Sequence, residues 1–150
     1  MSVQLPVNST GQVVDTQTTV AGKERGVVIP PTGGQFAIVH TPVAATQATV
    51  TQAAGAAGVK NVCQSISATL CTVGTAQAAV RQVNLRDGAT GAGTILWSQS
   101  ISCGTTQAVV INASGLYILG SAATAMTLEF DAAGVAASFE SVSLVGCTTA

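Results

Sequence analysis

At 150 residues the chain is long enough for one domain with its own core, and an apolar share of 47% sets it apart from disordered chains. Only 7% of residues are charged and the formal net charge is −1. The five basic residues, Lys23, Arg25, Lys60, Arg81 and Arg86, are scattered, so no basic stripe exists to neutralise a phosphate backbone and no nucleic acid partner is expected. The surface must then be built largely from Ser, Thr, Gln, Asn, Gly and Ala, against the ~25% charge of an ordinary soluble domain. Such a surface repels its neighbours weakly and suits a chain packed against other subunits, although a small secreted binding module could share it.

The N-terminal MSVQLPVNSTGQ has neither the positive start nor the apolar stretch of a signal peptide. No run approaches the ~18 apolar residues of a membrane span, so no membrane partner is expected. Synthesis and folding in a cytoplasm is the corresponding expectation.

Residues 1–35 read as an extended N-terminal arm with one or two short strands, and residues 36–150 as the folded body. The arm holds Pro6, Pro30, Pro31 and Gly33-Gly34, the valine pairs Val13-Val14 and Val27-Val28, and the triplet Lys23-Glu24-Arg25. Pro30-Pro31 favours an extended entry into the body. An extended segment punctuated by apolar residues cannot bury itself. It is expected to lie on a neighbouring subunit by edge pairing, with Val13, Val14, Lys23, Arg25, Val27, Val28, Pro30 and Pro31 as the candidate interface; a disordered tail is the alternative.

In the body, Phe36–His40 is apolar at nearly every position, as in a strand buried on both faces. Gln47–Gln52 alternates and is Thr-rich, as in an exposed strand. Ala53–Gly58 has two glycines within six residues and reads as a loop rather than a helix. Val59–Leu70 alternates, with Val62, Gln64, Ile66, Ala68 and Leu70 on one side, and Gly74 marks the next turn. Val80–Ile101 has the pattern of a β-hairpin: Arg81, Val83 and Leu85 share a face, Ile95, Trp97, Gln99 and Ile101 alternate on the return, and Asp87–Gly93 between them holds three glycines. Trp97, the single tryptophan, is expected to anchor the core.

Gln107–Ile111 and Leu116–Gly120 read as two strands separated by a turn at Asn112–Gly115. Met126, Leu128 and Phe130 alternate with Thr127 and Glu129. After a small-residue loop over 131–137, Val142 and Leu144 face opposite to Phe139, Ser141, Ser143 and Val145. About eight strands at spacings of ~10 residues predict an all-β fold, an antiparallel β-sandwich of jelly-roll type.

Catalytic signals are sparse. A Ser-His-Asp triad would have to use His40, the single histidine, and no G-x-S-x-G elbow exists. Cys63, Cys71, Cys103 and Cys147 lie 8, 32 and 44 residues apart, without the short chelating pairs of a zinc site. Two disulfides are one reading of an even count, but without a secretion signal four buried free thiols are expected. Cys63 and Cys71 flank one strand and would stand ~26 Å apart if extended, beyond disulfide reach. Glu129 and Glu140 lie on either side of a loop, either facing each other across a hairpin or, the preferred reading, standing as solvent-facing charge. Gly91-Ala92-Gly93 is followed by neither Lys nor helix and is no phosphate loop. An enzyme, a cofactor and a bound metal are accordingly not expected.

The segments NLRDGATGAGTILW, GLYILGSAATAMTLEF and FESVSLVG, within residues 59–146, resemble small β-sandwich virion proteins of tailed bacteriophages, in particular capsid decoration (cement) proteins. The shared positions are turn glycines and core apolar residues, so no binding residue transfers one by one. The resemblance implies a non-enzymatic protein of the virion surface, a homo-oligomer, usually a trimer on a local three-fold axis, whose partner is the major capsid protein. A tail, spike or fibre domain that binds a host surface glycan is the alternative it leaves open.

Overall fold

The structure is a computed structural model. It describes residues 34–75 and 80–149 and, nearer the N-terminus, the backbone of 16–18 and 24–26. The chain divides into two compact units, Met1–Pro31 and Thr32–Ala150. In the first unit, β1 (Thr16–Thr18) pairs antiparallel with β2 (Glu24–Gly26), Gln17 opposite Arg25. Of the candidate interface residues only Arg25 falls within these strands, as backbone; Val13, Val14, Lys23, Val27, Val28, Pro30 and Pro31 lie outside the described residues.

The second unit is an all-β sandwich of two four-stranded antiparallel sheets. Its strands are β3 (Gln35–Val39), β4 (Thr49–Gln52), β5 (Lys60–Thr72), β6 (Arg81–Asp87), β7 (Thr94–Ile101), β8 (Ala108–Ala122), β9 (Met126–Phe130) and β10 (Ser138–Thr149). One sheet has the order β3-β10-β5-β8 and the other β4-β9-β6-β7. Consecutive strands change sheet at every step except the β6–β7 hairpin, which is the connectivity of a jelly roll. Because all other connections cross between the sheets, neither sheet is built from one continuous stretch of chain.

The core lies between the sheets. Ile66, Ala68 and Leu70 of β5 and Val142 and Leu144 of β10 face Val83 and Leu85 of β6 and Met126, Leu128 and Phe130 of β9, all buried. Period-2 alternation puts these residues inward, and each fully buried Leu, Val or Phe contributes ~1.5–3 kcal/mol by leaving water.

Four expectations change at irregularities. Along β5 the register slips between Cys63 and Ser65 against both neighbours: Gln64 is an extra residue against β10, whereas against β8 the extra residues lie on β8, between Ser114 and Ile118. Ile66, Ala68 and Leu70 face the core as expected, but beyond the bulge Cys63, not Val62, joins the core cluster. One inserted residue exchanges the two faces for every position past it. The expected turn at Asn112–Gly115 is a bulge within one continuous β8, where Gly115 adopts φ 69°. In the hairpin, Leu85 pairs with Trp97 and Arg86 with Ile95, leaving Leu96 unpaired. Leu96 and Trp97 both pack on the core, each half-buried, while Ile95 is exposed. Trp97 therefore sits at the core margin. Phe36–His40, finally, is an edge strand paired only with β10: Phe36 and Ile38 face in, and Val39 is 65% exposed because it points to the uncovered outer face of the sheet.

Candidate docking face and the placement of charge

The body spends most of its ionisable side chains on internal contacts. Glu129, on β9, is 1% exposed although it points to the outer side of its sheet; Arg86 Nε lies 2.5 Å from its Oε1. The Gly91 amide donates to Oε2 at 3.0 Å. These bonds fold the 88–93 loop back over the outer face of β9, where Thr127 Oγ1 also donates to the Gly88 carbonyl at 2.8 Å. Asp87 accepts from the Ser121 amide at 3.0 Å and from its hydroxyl at 2.6 Å, tying the hairpin loop to β8 of the other sheet. Asp131 Oδ1 accepts from the Gln82 amide at 3.1 Å.

Glu140 points into the sandwich with Val142 and Leu144 and is 1% exposed. Its Oε2 accepts from the Ala48 amide at 3.1 Å, and its Oε1 has no hydrogen-bond partner. Burial raises its pKa to about 7; the Ala48 amide, the Arg81 charge and the Gly134 amide pull it down, and Asp131 pushes it up. The expectation for the two glutamates is thus corrected. They lie in different sheets, and neither is solvent-facing. Glu140 shares sequence parity with Val142 and Leu144, the signal that places it inside. Glu129 opposes Met126, Leu128 and Phe130 in parity and is covered by a loop, which no local pattern announces.

His40 follows β3; its amide donates to the Val142 carbonyl at 2.9 Å and its carbonyl accepts from Ser141 Oγ at 3.3 Å. All four cysteines are free thiols, with Cys63, Cys103 and Cys147 buried and Cys71 half-buried. Cys63 and Cys71 both lie on β5. Burial pushes the Cys63 thiol up to about 11, a backbone contact at Ser65 offsetting a little. Cys103 Sγ donates to the Gln107 carbonyl at 2.9 Å. Among the described residues no cluster of three or more His, Cys, Asp or Glu side chains could hold a metal ion.

What the charges leave free is the outer face of the β3-β10-β5-β8 sheet. The registers Val39–Ser143–Ser67–Asn112, Ala37–Val145–Ser65–Ser114 and Phe139–Cys71–Ala108 run across it in rows. Ser141–Thr69–Val110 completes the pattern. These rows contain no charged residue. Val39, Val110, Phe139 and Val145 stand exposed among hydroxyl and amide side chains. Four strands ~4.8 Å apart and some seven residues at ~3.3 Å give a plan area of ~440 Å², about half of the ~800 Å² per partner in a standard interface. None of these residues belongs to the interface expected from sequence; the signal was the second parity class of β10 and β5, read simply as the side away from the core.

No protein-family model matches the chain, and no curated protein matches it. A solved structure described as "Bacillus endospore appendages form a novel family of disulfide-linked pili" is similar to it over 74% of this chain and 84% of that one, at 17% identity and a TM-score of 0.26. A score that low carries no argument about fold or function.

Proposed function

We propose that this chain is a structural subunit that docks through the outer face of its β3-β10-β5-β8 sheet, and that its partner is the major capsid protein of a tailed bacteriophage, whose shell it decorates and stabilises as a homotrimer. The observation that supports docking is the charge-free sheet face with Val39, Val110, Phe139 and Val145 exposed on it. Desolvating such a face costs no ion hydration, and each exposed apolar side chain gains on contact. The capsid partner rests on the resemblance of the 59–146 segments. The trimer answers the small area: one copy binds weakly, and linked copies bind with avidity, because each further contact is effectively intramolecular. On this reading the protein is no enzyme, and it works at the virion surface after synthesis in the host cytoplasm.

Co-sedimentation with expanded capsid shells tests the reading. The wild-type protein should saturate the shells stoichiometrically at micromolar concentration. The paired substitution Val110→Asp and Val145→Asp should abolish sedimentation while leaving the far-ultraviolet circular dichroism and the melting temperature within ~2 °C, since both sites are exposed. Failure of the wild-type protein to bind any expanded shell would sink the capsid partner. Full binding by the double variant would sink the face. A reproducible hit on a glycan array, carried by Tyr117, which stands 73% exposed on β8, would move the assignment to a host-binding tail or fibre domain.

A further inference from the structure

We propose that Glu140 is a protonation-controlled latch that holds the β3–β4 connection and the β9–β10 loop against one end of the sandwich. Three chain segments meet at this side chain. The β3–β4 connection presents the Ala48 amide to Oε2. The same connection is bound to the start of β10 by the Ala45 amide, which donates to the Ser138 carbonyl at 2.9 Å, and by the bridge between Ala44 and Phe139. The β9–β10 loop packs Gly134 so closely that a Cβ there would fall 3.2 Å from Oε1 and 2.1 Å from Ser138 Oγ. Ser138 in turn donates its amide to Val135 at 3.0 Å and its hydroxyl to the same carbonyl at 2.6 Å, closing the loop on itself. Glu140 is the one ionisable side chain on which these segments converge inside the sandwich.

The charged and titratable groups around it do not neutralise it by contact. Arg81, at the start of β6, has its Nε buried without a hydrogen-bond partner and makes no ion pair within 4 Å of the Glu140 carboxylate. Asp131, after β9, is engaged by the Gln82 amide and adds repulsion. His40 lies farther along β10, opposite Val142, and Cys71 on β5 faces the outer side with Phe139. The β3–β4 connection contributes the Ala48 amide, and β4 brings no charge. As a neutral acid Glu140 fits this site, with one oxygen on Ala48. As a carboxylate it keeps a full charge in a buried site, bonded by Ala48 at one oxygen and, at the other, only approached by the Gly134 amide without a well-formed bond, which disfavours the closed arrangement.

The sign of the effect follows. The folded-state pKa of about 7 lies above the ordinary 4.5, so the closed end binds a proton that an opened end releases. Closure is therefore strongest below pH 4.5 and weakens as pH rises through 7. Opened loops rehydrate the carboxylate. The device would leave the core between β5, β10, β6 and β9 intact and loosen one end of the molecule in the neutral to alkaline range.

Native-state hydrogen exchange on the full chain tests this. Rates corrected for intrinsic pH dependence are compared at pH 5.5 and 8.5. The Ala45, Ala48 and Ser138 amides should lose at least tenfold protection in the wild type and should stay less protected than the Leu128 amide in β9 at both pH values, as opening of one end short of global unfolding requires. Glu140→Gln, which keeps the acceptor for Ala48 and removes the charge, should make the three amides insensitive to pH. Flat protection in the wild type, or an unchanged pH response in Glu140→Gln, overturns the latch. A second readout needs no variant: the side-chain carboxyl carbon of Glu140, followed by NMR, should titrate near neutrality, and a midpoint below 5 refutes the proposal even if the variant does not fold.

Discussion

Arg86→Ala is the sharpest test of how the hairpin loop is held. In the wild type, Glu129 is 1% exposed, and its carboxylate is met by the Arg86 guanidinium and the Gly91 amide. Removing Arg86 leaves a buried carboxylate with one backbone donor. Breaking a fully buried ion pair on one side costs ~3–5 kcal/mol, and the 17% exposure of the Arg86 side chain places the loss near the lower end, about 3 kcal/mol. For a body of this size that corresponds to a fall of roughly 10 °C in melting temperature. Glu129→Gln keeps an acceptor for Gly91 and should cost less, about 1–2 kcal/mol. The double variant Arg86→Met with Glu129→Leu should cost less than Arg86→Ala alone, because no stranded charge remains. Urea unfolding at pH 7 with a common m-value measures all three. An Arg86→Ala midpoint within ~0.5 kcal/mol of wild type would refute the claim that the loop seals Glu129 from water.

Two glycines with left-handed backbone should respond differently. Gly93 has φ 79° and a Cβ there would sit 2.1 Å from the Asp87 carbonyl oxygen, whereas Gly115 has φ 69° and open space around it. Gly115→Ala should cost ~1–2 kcal/mol from backbone alone, and Gly93→Ala clearly more by thermal denaturation. Equal losses would show that the Gly93 loop relaxes freely. Trp97→Ala should cost about 2 kcal/mol, below the ~3–5 kcal/mol of a fully buried tryptophan, because Trp97 sits at the core margin. Loss of 4 kcal/mol or more in chemical unfolding would place it inside. Glu140 makes global stability fall as pH rises from 4.5 through 7, by up to ~3 kcal/mol, since a raised carboxyl pKa favours the folded state only while the group is protonated. A stability profile that rises across that window in the wild type, with no difference in Glu140→Gln, would contradict this sign.

Much of the fold is legible in the chain because a β-strand writes its environment in steps of two. Met126-Leu128-Phe130, Val83-Leu85 and Val142-Leu144 all point inward as their alternation requires. The Asp87–Gly93 glycines mark the hairpin, and the regular strand spacing leads to the sandwich. The same rule places Glu140 inside, where residue type alone suggests solvent. What it misses are the breaks in period: Gln64, Leu96 and the Gly115 bulge each add residues that shift every later position to the other face. Local sequence marks only the break at Asn112–Gly115, and there a glycine reads equally as a turn, because a bulge is settled by the register of a strand against both neighbours at once.

By itself, then, the sequence determined the class of fold, the inward set on most strands, and a surface poor in charge. The tertiary structure decided which strands stand at the edges, how the 88–93 loop turns an outward Glu129 into a buried one, and which sheet face remains bare. Alternation is local, felt between residues two apart, whereas edges, covering loops and buried charges depend on which distant segments come to lie beside a strand.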